Sequence, residues 1–230
     1  MPRLSTVSAL SALALSALPL SVLTTTGCAG GGSQYNGTSM AEYFPFDGGR
    51  HGEFVNNDST VPYHLLTEKL EPTELDEDSR ETATFEVSKD DGTLLYAVKW
   101  SVRSNQAVRI EAWADYSAGV GAAFTVFDPP IDVVDAFMQI GDTTETSTGG
   151  MNFTGTYVGP EDCPVLWGGL DWEDCAHIKL DDGDGDDSAG PKFAGDYWVV
   201  ARYGQAWMQL TGDAEAWKLS DYVWDTGSGE

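Results

Sequence analysis

The chain has 230 residues, with 37 acidic against 12 basic side chains and a formal net charge of −25. That balance argues against nucleic acid as a partner, because phosphate binding requires a concentrated positive surface. With 41% hydrophobic and 11% aromatic residues, the composition is that of a globular chain with one substantial core, not of a disordered one.

Pro2 and Arg3 form a short positive start, followed by an apolar run from Ala9 to Leu23 that serines and Pro19 interrupt. The run is too short and too polar to span a bilayer, and residues 1–27 read as a secretory signal. The residues before Cys28, Thr25-Thr26-Gly27, resemble a bacterial lipobox, in which a small residue precedes the cysteine. The resemblance implies cleavage before Cys28 and a diacylglyceryl group on its thiol. Thr25 departs from the pattern, which usually has a large aliphatic there, and the alternative is ordinary cleavage after Ala29. An uncharged residue after the cysteine implies, by the same resemblance, export to the outer membrane. Several acyl chains on one residue anchor durably, since each buried methylene contributes about 0.8 kcal/mol. Residues 28–40, rich in Gly and small polar side chains, read as lipid anchor and flexible tether with a reach of about 20 Å.

Strand signals fill the remainder. The segment 43–54, YFPFDGGRHGEF, turns at Asp47-Gly48-Gly49 and starts a strand that Tyr63–Leu70 returns. Glu71–Glu81 is an acidic exposed connection. Thr82–Ser88 and Thr93–Arg103 flank an Asp90-Asp91-Gly92 turn, a strong hairpin signature, with Tyr96, Val98, Trp100 and Val102 on one face. Ala107–Ala114 alternates again, and Gly119–Phe127 reads as a strand stopped by Asp128-Pro129-Pro130. Ile131–Ile140 suits a short helix or an extended crossing, and the flanking turn residues favour the latter. Thr143–Thr148 and Met151–Val158 form a second hairpin around Gly149-Gly150. Ala176–Leu180 and three aromatic runs, Asp196–Tyr203, Gln205–Thr211 and Glu215–Trp224, close the domain before a polar tail at 225–230. The class is all-β: a curved antiparallel sheet, or an open or half barrel, of about ten strands built from meandering hairpins. The domain is a single one over residues 41–224.

Of three cysteines, Cys28 carries the anchor in this reading, which leaves Cys163 and Cys175 as a pair. In an oxidising compartment a disulfide between them contributes roughly 3 kcal/mol. The rival, zinc, lacks a CxxC or a histidine cluster in support. Asp182, Asp184 and Asp186 in DDGDGDDS have the alternate spacing that suits calcium, but Asp187 stands where an EF-hand has its turn glycine, and a solvated acidic loop is the other reading. Trp167 and Trp172 bracket two glycines between the cysteines, where they could stack on sugars, whereas Trp198, Trp207 and Trp217 lie in strands and are expected to fill the core. His177 shares a strand face with Lys179 and reads as exposed or structural. No GxSxG, HExxH, P-loop or dinucleotide fingerprint is present.

Three stretches, YFPFDGGRHGEF, FDPPIDVVDAFMQIGDTTETS and DYWVVARYGQAWMQL, resemble small exported lipoproteins that open on YFPL and end on a Tyr-Trp strand, a glycine turn and a final strand. Gly52 replaces the opening tryptophan of that pattern, and Arg202-Tyr203-Gly204 replaces its Pro-Gly-Val-Gly corner. The resemblance implies a strongly curved antiparallel sheet similar to the half-barrels of outer-membrane lipoprotein carriers, and it brings no catalytic residues. The reading is therefore a non-enzymatic outer-membrane lipoprotein. Its inner face, lined by Val98, Trp100, Ile110 and Tyr197, is either a filled core or a site for an apolar ligand. The alternative is an exported carbohydrate-binding module using Trp167 and Trp172, stabilised by calcium at the acidic loop.

Overall fold

The structure, a computed structural model, describes residues 39–46, 50–57, 65–71, 74–75, 79–103, 106–116, 122–163, 175–183, 193–213 and 215–224. Alternating burial in strand after strand produces one antiparallel sheet. Its strands are Arg50–Val55 (β1), Leu65–Leu70 (β2), Glu74–Leu75 (β3), Glu81–Lys89 (β4), Leu94–Val102 (β5), Val108–Asp115 (β6), Thr125–Val134 (β7), Thr143–Thr148 (β8), Met151–Glu161 (β9), Cys175–Asp181 (β10), Gly195–Val200 (β11), Gly204–Leu210 (β12) and Trp217–Trp224 (β13).

The sheet runs in the order β7-β6-β5-β4-β2-β1-β13-β12-β11-β10-β9-β8, with the two-residue β3 on β4. Pairing of β1 with β13, Arg50 opposite Trp224, joins the first and last strands and bends the sheet into a nearly closed barrel. The end strands β7 and β8 meet at a seam bridged by side chains instead of a backbone ladder. Thr144 Oγ1 donates to the Asp132 carbonyl at 2.6 Å, and Thr146 Oγ1 accepts the Asp132 N–H at 3.1 Å. Gly155 on β9 permits this approach, because a Cβ there would lie 1.9 Å from the Val133 carbonyl oxygen.

Both predicted hairpins form, around Gly92 (φ +77°) and around Gly149 and Gly150 (φ +60° and +83°), conformations that glycine adopts without a steric penalty. The two-residue β3 is an element that sequence patterning does not signal. Asp128-Pro129-Pro130 also does not stop a strand. Instead, β7 runs through it to Val134: Ala112 faces Val126 and Ile110 faces Ile131, so Phe127–Pro130 bulge opposite Glu111. Prolines are tolerated there because β7 donates to a ladder along one edge alone. Only Ile131–Val134 of the expected crossing is extended, and residues 135–142 form turns.

Barrel diameter grows with strand number, and eight strands already leave an interior that side chains can fill. Here the extra space is taken by aromatic side chains and by the N-terminal segment. A single 3-10 turn, Met40–Tyr43, capped by Ser39 Oγ accepting the Ala41 N–H, carries Met40, Phe44 and Phe46 into the interior. Met40 is 0% exposed, so the last residues of the expected tether, Ser39 and Met40, belong to the barrel instead. Phe44 stacks on Trp100 at 5.4 Å between centroids, and Phe46 meets Phe85 edge-on at 5.9 Å. The Met40 N–H donates to the Ala136 carbonyl, and the Arg202 N–H donates to the Glu42 carbonyl. The segment therefore plugs the end of the barrel where the β7–β8 and β11–β12 connections lie.

Candidate functional site

The expected ligand-lining residues come together in the interior. Val98, Trp100, Ile110 and Tyr197 are each at most 3% exposed. Trp100 and Tyr197 meet edge-on at 6.3 Å, Phe44 covers a face of Trp100, and Phe85 packs against its edge at 6.2 Å. The Tyr197 hydroxyl donates to the Phe193 carbonyl, and burial raises its pKa. Phe193 in turn stacks on Phe153 and meets Trp113 and Phe127 edge-on. The inner face is thus occupied by the protein's own rings.

Polar groups also enter this interior, a feature that sequence patterning does not reveal. Arg50 on β1 and Glu68 on β2 are 4% and 7% exposed. Glu68 lies opposite Gly52, where a Cβ would press on Leu219 at 2.9 Å, so the glycine makes room for the packing around it. Burial pushes the Glu68 carboxyl up to about 7, against the opposing pull of Arg50. The Arg50 guanidinium also crosses Gly204, 2.4 Å from where its Cβ would stand. Beside these groups and Gln205 is a void of about 10 Å³, room for roughly one water molecule.

On the outer face, four cross-strand neighbours form a row. His177 on β10 faces Trp198 on β11, Trp198 faces Trp207 on β12, and Trp207 faces Lys218 on β13. The rings stack at 4.2 and 4.8 Å, and Lys218 Nζ lies 5.6 Å from the Trp207 ring centre. His177 Nδ1 bonds Glu161 at 2.9 Å and Nε2 bonds Asp196 at 2.7 Å, while Trp198 Nε1 donates to Glu161 at 2.8 Å. Partial burial works against the imidazolium, but the hydrogen bonds and charges of the two carboxylates outweigh it and raise the His177 pKa. This fits a structural histidine on the face shared with Lys179. It corrects the expectation for the strand tryptophans: Trp217 is 2% exposed in the core, whereas Trp198 and Trp207 point outward because Tyr197, Ala206 and Met208 take the inward positions. Stacked between His177 and Lys218, the two rings have their faces covered by neighbours and offer no open platform for a sugar.

Cys163 and Cys175 are joined in a disulfide, with 5.0 Å between their Cα atoms. Trp167 and Trp172, between them, lie outside the described residues, as do Cys28, Asp184 and Asp186. Asp182 is 6% exposed and its Oδ2 is buried without a hydrogen-bond partner. It lines an open cleft of about 380 Å³ with Asp181, Asp196 and Asp213. Among the described residues no three His, Cys, Asp or Glu groups gather as a metal-binding set.

The outward positions carry Glu53, Lys69, Lys99, Arg109, Glu111 and Lys179, opposite an interior that is mostly apolar. A barrel that spans a membrane has the reverse pattern, with an apolar band outside and polar groups within. The fold is thus a side-chain-filled, plugged antiparallel barrel with a charged exterior. Comparison with protein-family models, with curated proteins and with solved structures finds no match.

Proposed function

We propose that the chain is a non-enzymatic outer-membrane lipoprotein, held by lipid on Cys28, whose barrel is a rigid filled body and not a container. The observation that carries this reading is the plug. Ser39–Phe46 is locked into the barrel through Met40, Phe44 and Phe46 and through backbone bonds to Ala136 and Arg202. A tether pulling at residue 38 therefore loads the core, where an ordinary frayed terminus would peel away. A charged exterior suits a body held beside a membrane, and it supports an anchor over a span. The engagement of both His177 nitrogens by carboxylates supports a structural role for that side chain over a catalytic one. Mass spectrometry of the mature N-terminus tests the proposal: a chain beginning at Cys28 with acyl mass added is expected, and an unmodified chain beginning after Ala29 rejects it.

A second reading, a carbohydrate-binding module, draws support from the disulfide, which fixes both ends of the connection bearing Trp167 and Trp172. It requires glycan binding that Trp167→Ala and Trp172→Ala abolish, and a native chain that binds no glycan removes it. Calcium as a pin for the acidic loop draws support from the unpartnered Asp182 Oδ2. A melting midpoint unchanged by chelator ends that reading.

A further inference from the structure

We infer that the plug end of the barrel is a lipid-docking rim, which seats the body on the zwitterionic lipid surface that holds its own anchor. The inference rests on the lipoprotein reading and adds an orientation to it. In an antiparallel meander, alternate connections fall at the same end. The plug, β3, the β7–β8 connection and the β11–β12 turn therefore share one end, while the Asp90-Asp91-Gly92 turn and the start of β7 lie at the other.

Six large apolar side chains are exposed among the described residues, and four of them belong to the plug end: Leu75 at 72%, Phe137 at 58%, Ile140 at 54% and Tyr203 at 43%. They are spread around the circumference, on the β2–β4 side, at the seam and between β11 and β12. Single exposed apolar residues are ordinary, but Phe137 and Ile140 are held outward by a pinned loop. Asp135 Oδ1 accepts the Ala136 N–H and Asp142 Oδ2 accepts the Gln139 N–H, both at 2.7 Å. The Gly141 N–H donates to the Tyr157 carbonyl at 2.8 Å. Within the same loop Ala136 and Met138 are tucked in, at 4% and 5% exposed, and Met138 Sδ accepts the Asp135 N–H. The loop thus buries Ala136 and Met138 and presents Phe137 and Ile140 beside the exposed Asp135, Gln139 and Asp142.

The occupant is set by where the chain leaves. The described chain begins at Ser39, inside this rim, eleven Cα–Cα steps after Cys28. Fully extended they reach at most roughly 40 Å, so an acyl group on Cys28 keeps this end of the barrel close to the bilayer. Glu71, Glu74, Asp135 and Asp142 stand at the same end. They select a zwitterionic lipid face over an anionic one, which would repel them.

The test uses the acylated mature chain on phosphatidylcholine–phosphatidylethanolamine nanodiscs containing a spin-labelled lipid, read by methyl NMR. Val126, as exposed as Leu75 at 72% but at the far end, is the internal control. Methyl signals of Ile140 and Leu75 are expected to broaden several-fold more than that of Val126. Phe137→Ser with Ile140→Ser, changes at exposed positions, is expected to reduce the Leu75 broadening roughly threefold or more by removing the apolar contact that seats the rim. Equal broadening at all three methyls overturns the rim, as does Leu75 broadening that the double variant leaves untouched, which reports nearness to the tether alone. Concentration-dependent shifts at Ile140 without lipid point to a second copy of the chain as occupant and also overturn it. An N-terminus without acyl mass defeats the anchor reading itself, and the rim falls with it. An acylated chain with no preferential broadening defeats only the rim.

Discussion

Two side chains carry charge where the barrel's packing makes charge consequential. Glu68 has a folded-state pKa of about 7 against an ordinary value of 4.5, because burial disfavours its carboxylate. A carboxyl whose folded pKa is raised binds its proton more tightly in the native state. Its contribution is most favourable below pH 4.5, declines as pH rises through 7, and is then unfavourable by on the order of 3 kcal/mol. Glu68→Gln is accordingly expected to raise stability at pH 8 relative to the native chain and to flatten the fall between pH 4.5 and 7 in urea-unfolding titrations. An unchanged pH slope would contradict the burial argument. His177 changes stability with pH in the same direction, with the difference that its charged form is the stabilised one. Its pKa lies above 6.5, since only the imidazolium can donate to Glu161 and Asp196 together, so its stabilisation is complete below pH 6.5 and is lost as pH rises through the folded pKa. NMR titration of the His177 ring is expected to show a midpoint above 6.5 that Asp196→Asn lowers; a native midpoint below 6.5 would show that the imidazolium is not the bonded form.

Among the elements, the N-terminal plug does most to set the character of the barrel. Phe44 is 4% exposed, stacked on Trp100, and reaches the core from a turn with few residues of its own. Truncating it leaves a cavity that the surrounding strands, fixed by their ladders, cannot collapse to fill. Phe44→Ala is expected to cost about 3–5 kcal/mol in denaturant unfolding, and a loss below about 1 kcal/mol would place the plug outside the cooperative core. A satisfied arginine holds the same end: Arg80, 2% exposed, donates to Ser101 Oγ, Gln106 Oε1 and the Ala107 carbonyl. Ser101 is consequently buried, although it lies on the strand face opposite Trp100 and Val102.

For the whole molecule, the dominant electrostatic fact is an excess of acidic over basic residues, 37 against 12, with most charged side chains among the described residues left unburied. Self-repulsion of that surface opposes the compact state, and salt screens it over about 10 Å at 0.1 M. The urea midpoint is therefore expected to rise as sodium chloride is added from low ionic strength; a midpoint that falls would mean that specific ion pairs such as Arg109–Asp132 outweigh the net repulsion.

What the sequence determined by itself was local: strand alternation, the Asp-Gly and Gly-Gly hairpin turns, the cysteine pair, and the inward face of Tyr96, Val98, Trp100 and Val102. Each is encoded within a dozen residues, by a period of two or by backbone conformations that only glycine adopts cheaply. The outward direction of Trp198 was equally legible, since Tyr197 and Val199 take the other face. Tertiary structure alone decided that Arg50 meets Trp224 and closes the sheet, that β7 continues through two prolines, that Met40 and Phe44 fill the barrel, and that Glu68 is buried among them. These are matters of which distant strands become neighbours and how far their registers slip. The energy that settles them comes from packing a common interior, and no short stretch of the chain contains it.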